Sequence, residues 1–300
     1  MTRISTSSMF AQGVDIMLKK QTELAKTELQ LASGQRVIKP SDDVAATIQI
    51  LDLKKSQAKL VQYQRNADTV MARLSQEETA LDGIQNILQR VRELAVQGNN
   101  DTLSTSDRQA LAEEIREHTN GFLQQANTKD SNGEYIFAGF RTDTEPFSHD
   151  GLGTFTYAGD TGQRILKIGD TREVAMGDPG TVFMDFAANA GGTTNIGEVM
   201  FNLADSFESG NRDVNALTDL DTALGTVLNT RASIGARMNA IDDQKSANEA
   251  FDLAIDKVRS SLEDLDYAEA ISRFNQQLTA LQASQQSFLK IQDLNLFNYL

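Results

Sequence analysis

Catalysis needs side chains that titrate or attack, held close together, and this chain offers few. Its only histidines are His118 and His149, and it has no cysteine. A metal centre or a nucleophile–base pair draws on clustered His, Cys, Asp and Glu. His118 sits beside Glu114 and Glu117 in a helical stretch, and His149 lies in a Gly-rich one. Two distant histidines without a thiol suit neither role. No nucleophile elbow, Walker loop or EF-hand pattern occurs. The nearest acidic loop, Gly177-Asp178-Pro179-Gly180, reads as a turn. The carboxylate pairs Asp42-Asp43, Glu113-Glu114 and Asp242-Asp243 fall on helix surfaces or helix starts, where solvated charge is ordinary. The residues therefore predict no catalytic group, no cofactor and no metal site, and the chain is not expected to be an enzyme.

Composition points the same way. The 300 residues carry a formal net charge of −14, which gives no electrostatic support to nucleic-acid binding. Hydrophobic residues at 40% suffice for a sizeable core in one or two domains. Absence of Cys excludes disulfides and leaves the compartment open. No run approaches about 18 apolar residues, so no membrane insertion is expected. Met1 to Lys20 is polar and broken, without the apolar core of a secretory signal. If the protein leaves the cell, the expected route needs no cleaved signal peptide.

The elements that would position any site fall into three segments. Residues 1–130 are poor in Gly and helical in period, residues 131–195 hold most of the Gly, and residues 196–300 are helical again. A first helix is predicted from about Ser5 to Ser33. Gly34 ends it, Pro40 stops readthrough, and Ser41 is the expected N-cap of the next, with Asp42 and Asp43 in its first turn. In that second helix Leu74, Leu81, Leu88 and Ala95 recur every seven residues, with Val70, Ile84 and Val91 between them. Glu77 interrupts this narrow coiled-coil seam once. If continuous from Ser41 to Gly98, the helix is roughly 85 Å long, which predicts an elongated molecule. A third helix is expected to open at Ser106, with Gln109 completing a capping box.

The middle segment reads as β-structure. Tyr135 to Phe137, Thr154 to Tyr157 and Arg164 to Ile168 suit strands, and Gly- and Asp-rich turns separate them. The fold class expected is mainly α, with a small antiparallel β-domain inserted between helical halves. In the last segment the seam runs through Leu217, Leu220, Leu224, Val227, Ile234, Met238 and Ile241. It changes phase near Asp266-Tyr267, then continues through Ile271, Phe274, Leu278, Leu281 and Phe288. A bend and a change of packing neighbour both explain the shift. The chain ends on Leu294, Leu296, Phe297, Tyr299 and Leu300. An apolar end needs cover, either from its own core or from another subunit.

These patterns also carry a resemblance. Thr27-Glu28-Leu29-Gln30-Leu31-Ala32-Ser33-Gly34-Gln35-Arg36-Val37, with Pro40-Ser41-Asp42-Asp43, resembles the N-terminal signature of bacterial flagellins. So do Asp82-Gly83 and Arg92-Glu93-Leu94-Ala95-Val96-Gln97. Near the other end, Arg231-Ala232-Ser233-Ile234-Gly235-Ala236-Arg237 and Asp264-Leu265-Asp266-Tyr267-Ala268-Glu269 are similar to the same superfamily. Pro40-Ser41-Asp42-Asp43, the stretch Asn132 to Gly139 followed by Thr144-Glu145-Pro146-Phe147, and the ending Leu294 to Leu300 look like its hook–filament junction branch. Val44 departs from that branch, where Pro is frequent.

The resemblance implies an elongated architecture of long coiled-coil helices from both termini, and a structural role in the bacterial flagellum outside the cell. It implies a ring of copies between the first hook-associated protein on the hook side and flagellin on the filament side. It also implies a cytosolic export chaperone and the flagellar type III export apparatus. The assembly interface is expected at Leu29, Ser33, Gly34, Arg36, Pro40, Asp42 and Asp43 near one end. At the other end it is expected at Phe274, Leu281, Phe288, Ile291, Leu294, Leu296, Phe297 and Leu300. The alternatives are a filament flagellin with a small outer domain, and a catalytic or binding module carried by the β-segment.

Overall fold

The computed structural model describes residues 6–296. In chain order the elements are α1 (Thr6–Ser33), α2 (Val44–Gly98), α3 (Thr105–Ala126), β1 (Phe147–His149) and β2 (Phe155–Tyr157). There follow β3 (Ile165–Lys167), β4 (Glu173–Ala175), α4 (Thr181–Met184), β5 (Asp185–Ala187) and β6 (Thr193–Asn195), then α5 (Ile196–Glu208), α6 (Asn215–Glu263) and α7 (Tyr267–Leu296). The chain divides into two compact units, a central one of residues 60–249 and a terminal one of residues 1–59 with 250–300. Helices α2 and α6 contribute to both.

The central unit is built on the seam of α2. Val70, Leu74, Leu81, Ile84, Leu88, Val91 and Ala95 are all buried. Leu220, Val227, Ile234 and Ile241 of α6 join the same cluster. Each of these leucine, isoleucine and valine side chains contributes about 1.5–3 kcal/mol by leaving water. Ion pairs set the register of the two helices: Asp68 with Lys245 at 2.7 Å, Glu78 and Asp82 with Arg231 at 2.6 and 2.9 Å, and Arg92 with Asp221. Rising numbers on α2 meet falling numbers on α6, so the pair is antiparallel. Pairs this exposed add little stability, but they discriminate between registers.

Glu77 interrupts the seam yet is buried. Its Oε1 accepts the backbone N–H of Asp178 at 3.0 Å, which draws the turn at Gly177-Asp178 onto α2. Arg237 of α6 pairs with Asp178, and Arg73 pairs with Asp130 at 2.7 Å. Burial, followed by the neighbouring Asp178 charge, pushes the Glu77 carboxyl up to about 8.

The middle segment forms three separate antiparallel hairpins instead of one sheet: β1 with β2, β3 with β4, and β5 with β6. The last turns through Gly191 and Gly192, both at positive φ, with open space where a side chain would project. Three-residue strands in pairs are marginal alone. Phe147, Phe155, Val174 and Phe186 anchor them in the cluster that also holds the helices. The strand expected at Tyr135 to Phe137 is a turn with one bridge, between Lys129 and Tyr135. Side chains share in the carbonyls that a ladder would have used, beside the Gly180 N–H on Phe137 O at 2.9 Å. Arg73 Nη2 donates to Tyr135 O at 3.2 Å, and the Tyr157 hydroxyl donates to Phe137 O at 2.8 Å.

Three helix boundaries differ from expectation. Asp43, not Ser41, caps α2, its Oδ1 accepting the N–H of Ala46 at 2.9 Å. Asp42 stays in the preceding turn. The capping box of α3 is Ser104 with Asp107, two residues before the expected one. Gln109 instead donates to the carbonyl of Glu208 at the end of α5. The phase change near Asp266 is a complete break, and Asp266 caps α7 by accepting from Ala268 and Glu269 N–H. Helix α5 opens the segment expected to be helical from residue 196: Asn195 caps it, and its apolar residues follow helical spacing.

Candidate assembly interface

In the terminal unit, α1 and α7 pack against each other, antiparallel. The rings of Phe10 and Phe288 lie 4.8 Å apart, and Gly13 faces Phe288. At the other end of the pair Gly34 meets the hydroxyl of Tyr267. The seam on α7 uses Ala270, Phe274, Gln277, Leu281, Ser284 and Phe288, alternating steps of four and three. Phe274, Leu281 and Phe288 thus face a helix of the same chain. On α1 the matching positions are Phe10, Met17, Leu24 and Leu31, seven apart. The period of seven is present in the sequence, closely flanked by polar residues.

Leu29 is turned away from this seam and is 49% exposed. It belongs to a second stripe on α1, with Leu18, Ala25 and Ala32, all exposed. On α7 the outward apolar residues are Ile271, Leu278 and Leu289. The described backbone of α7 runs through Ile291, Leu294 and Leu296. Their side chains lie outside the described residues, as do Phe297 and Leu300.

The predicted residues between α1 and α2 make a compact connection. Ser33 Oγ bonds the carbonyl of Gln30 and the N–H of Gln35. Gly34 adopts φ +71°, which ends α1 at little cost only for glycine. Pro40 follows Lys39 in a turn closed by Asp42 N–H on Lys39 O at 2.9 Å. Lys26 of α1 pairs with Asp42 at 2.7 Å. This bond, then the N–H of Lys39, holds the Asp42 carboxyl below the usual carboxylate range. The N–H of Ala46, then Arg36, does the same for Asp43. Arg36 also donates to the carbonyl of Leu262. Sequence reasoning missed Gln35, Glu263 and Tyr267, whose roles depend on a contact between distant parts of the chain.

The histidines have separate local surroundings. His118 lies 3.8 Å from Glu114 on α3, while His149 accepts the N–H of Gly151 and stacks on Phe155. Among the described residues, no group of three or more His, Asp and Glu is arranged to hold a metal ion. No described helix is long and apolar enough to cross a membrane.

Long paired helices from both chain ends, joined through a Gly-Arg turn and an Asp-capped helix start, define a class of protein. Residues 4–142 match the bacterial flagellin N-terminal helical region, and residues 217–300 match the bacterial flagellin C-terminal helical region. The chain belongs to the bacterial flagellin family. Over 98% of both chains it is 32% identical to flagellar hook-associated protein 3 of Escherichia coli (strain K12). It is 29% identical, again over 98% of both, to flagellar hook-associated protein 3 of Salmonella typhimurium. A solved structure of a flagellar hook-associated protein from Vibrio parahaemolyticus superposes with a TM-score of 0.67 at 25% identity, covering 74% of this chain and all of that one. Within its family the chain is a structural flagellar protein of the hook-associated protein 3 type.

Proposed function

We propose that this chain forms the junction between hook and filament, and that it assembles through faces of the terminal unit left open by its own pairing. The carrying observation is the second stripe on α1, where Leu18, Ala25, Leu29 and Ala32 repeat a helix-pairing spacing yet remain exposed. Most of the exposed large apolar side chains among the described residues belong to the terminal unit, although it is the smaller of the two. Exposed apolar surface at that density marks an interaction site. Its partners are further copies in a ring, the first hook-associated protein on one side and flagellin on the other. A cytosolic chaperone holds the chain before export through the flagellar type III apparatus. The role is structural and not enzymatic.

Deletion of the gene tests this reading. Cells that still build hooks and release flagellin into the medium identify a junction protein. Loss of flagellin synthesis itself identifies the filament subunit and overturns the proposal.

A further inference from the structure

The terminal unit contains two helix breaks, 34–43 between α1 and α2 and 264–266 between α6 and α7, and they are tied together. The Gly34 carbonyl accepts the N–H of Leu265 at 3.0 Å, and the N–H of Arg36 donates to Glu263 O at 2.8 Å. Gln35 and Asp264 thereby form an antiparallel bridge. Arg36 extends the tie with its side chain. Its Nε and Nη2 donate to Leu262 O at 3.2 and 2.9 Å. That carbonyl belongs to the last turn of α6, where no intrahelical donor remains. Its Nη1 donates to the Asp43 carboxylate, the cap of α2, at 3.1 Å. Its own carbonyl accepts from Gln30 Nε2, in the last turn of α1, at 2.6 Å. One residue therefore touches the ends of three helices, and the bridge beside it leads directly into the fourth.

We propose that Arg36 and the Gln35–Asp264 bridge make the two breaks a single coupled joint, so that the α1–α7 pair seats and releases as one body instead of as two independent arms. Two untied linkers would change their backbone angles separately. Here a change in either linker breaks bonds in the other. Lysine cannot reproduce the tie, because one ammonium lacks the planar fork that reaches a carbonyl and a carboxylate together. The coupling is a property of the folded chain and does not rest on the junction role.

Hydrogen exchange on the full-length chain tests it, comparing the wild type with Arg36→Ala, Arg36→Lys and Lys39→Ala. Lys39 lies in the same linker and is exposed. Arg36→Ala is expected to speed exchange about tenfold or more in both 34–43 and 262–268, with 70–95 unchanged. Arg36→Lys should act in the same direction but less, and Lys39→Ala should leave 262–268 alone. Faster exchange confined to 34–43, or no change in either segment, overturns the proposal. Should Arg36→Ala lose its protection throughout, Gly34→Ala provides the second arm. A Cβ there meets the Tyr267 hydroxyl at 2.8 Å and is strained at φ +71°. The coupled joint then requires faster exchange at 262–265, before the Tyr267 contact, and exchange unchanged there refutes it.

Discussion

Glu77 places a carboxyl where the α2 seam otherwise holds leucine, isoleucine or valine. Its value of about 8 in the folded chain stands above the ordinary 4.5. The folded state therefore holds this proton more tightly than the unfolded state does. The resulting stability is fully present below about pH 4.5 and is lost as pH rises through about 8. Thermal unfolding should show a melting temperature that falls between about pH 5 and pH 8, with Glu77→Gln flattening that fall. Parallel curves for the two proteins would show that Glu77 is not the group responsible. Asn195 is a simpler case. Its side chain accepts the N–H of Glu198 at 2.9 Å and caps α5. Asn195→Ala should cost about 1 kcal/mol in denaturant unfolding with an unchanged m-value.

At the scale of elements, the α2 seam was legible because a spacing of seven over several turns leaves few other readings. Leu81 is fully buried in it. Leu81→Ala is expected to destabilise the protein by about 2–5 kcal/mol in equilibrium unfolding. A loss below about 1 kcal/mol would mean that the helices close around the gap. The middle segment was harder to read. Its strands are three residues long, so alternation has no room to become a pattern. Tyr135 to Phe137 carries strand-forming residues but gives its carbonyls to Arg73 and Tyr157, which no local signal announces. The helix starts were read within a few residues, and the errors share one cause. Ser and Asp lie close together at both sites, and which of them caps is decided by contacts such as Arg36 on Asp43. The candidate interface was legible as residue types. Which face of each arm points outward was not, because that depends on α1 choosing α7 as its neighbour.

For the molecule as a whole, two kinds of helical surface must be distinguished. The seam between α1 and α7 is satisfied within the chain, whereas the outer stripe of α1 is not. Charge placed on that stripe should spare folding and block assembly. Leu18→Asp with Leu29→Asp is expected to keep the wild-type circular dichroism and to fail to restore filaments in a deletion strain. Normal filaments from that variant would remove the stripe from the interface. A helix pair with one covered side holds its order weakly. Amide exchange in α1 and α7 should therefore slow markedly when isolated chains are compared with assembled ones. Equal rates would show that the arms are already complete on their own.

The hairpin tip at Gly191 and Gly192 has a use in engineering. It faces open space, and the strands beneath it are anchored by Phe186. Each doubling of a flexible loop costs only about 0.6 kcal/mol. A foreign peptide grafted between these two glycines should therefore be carried as passive cargo, leaving the helices that assemble untouched.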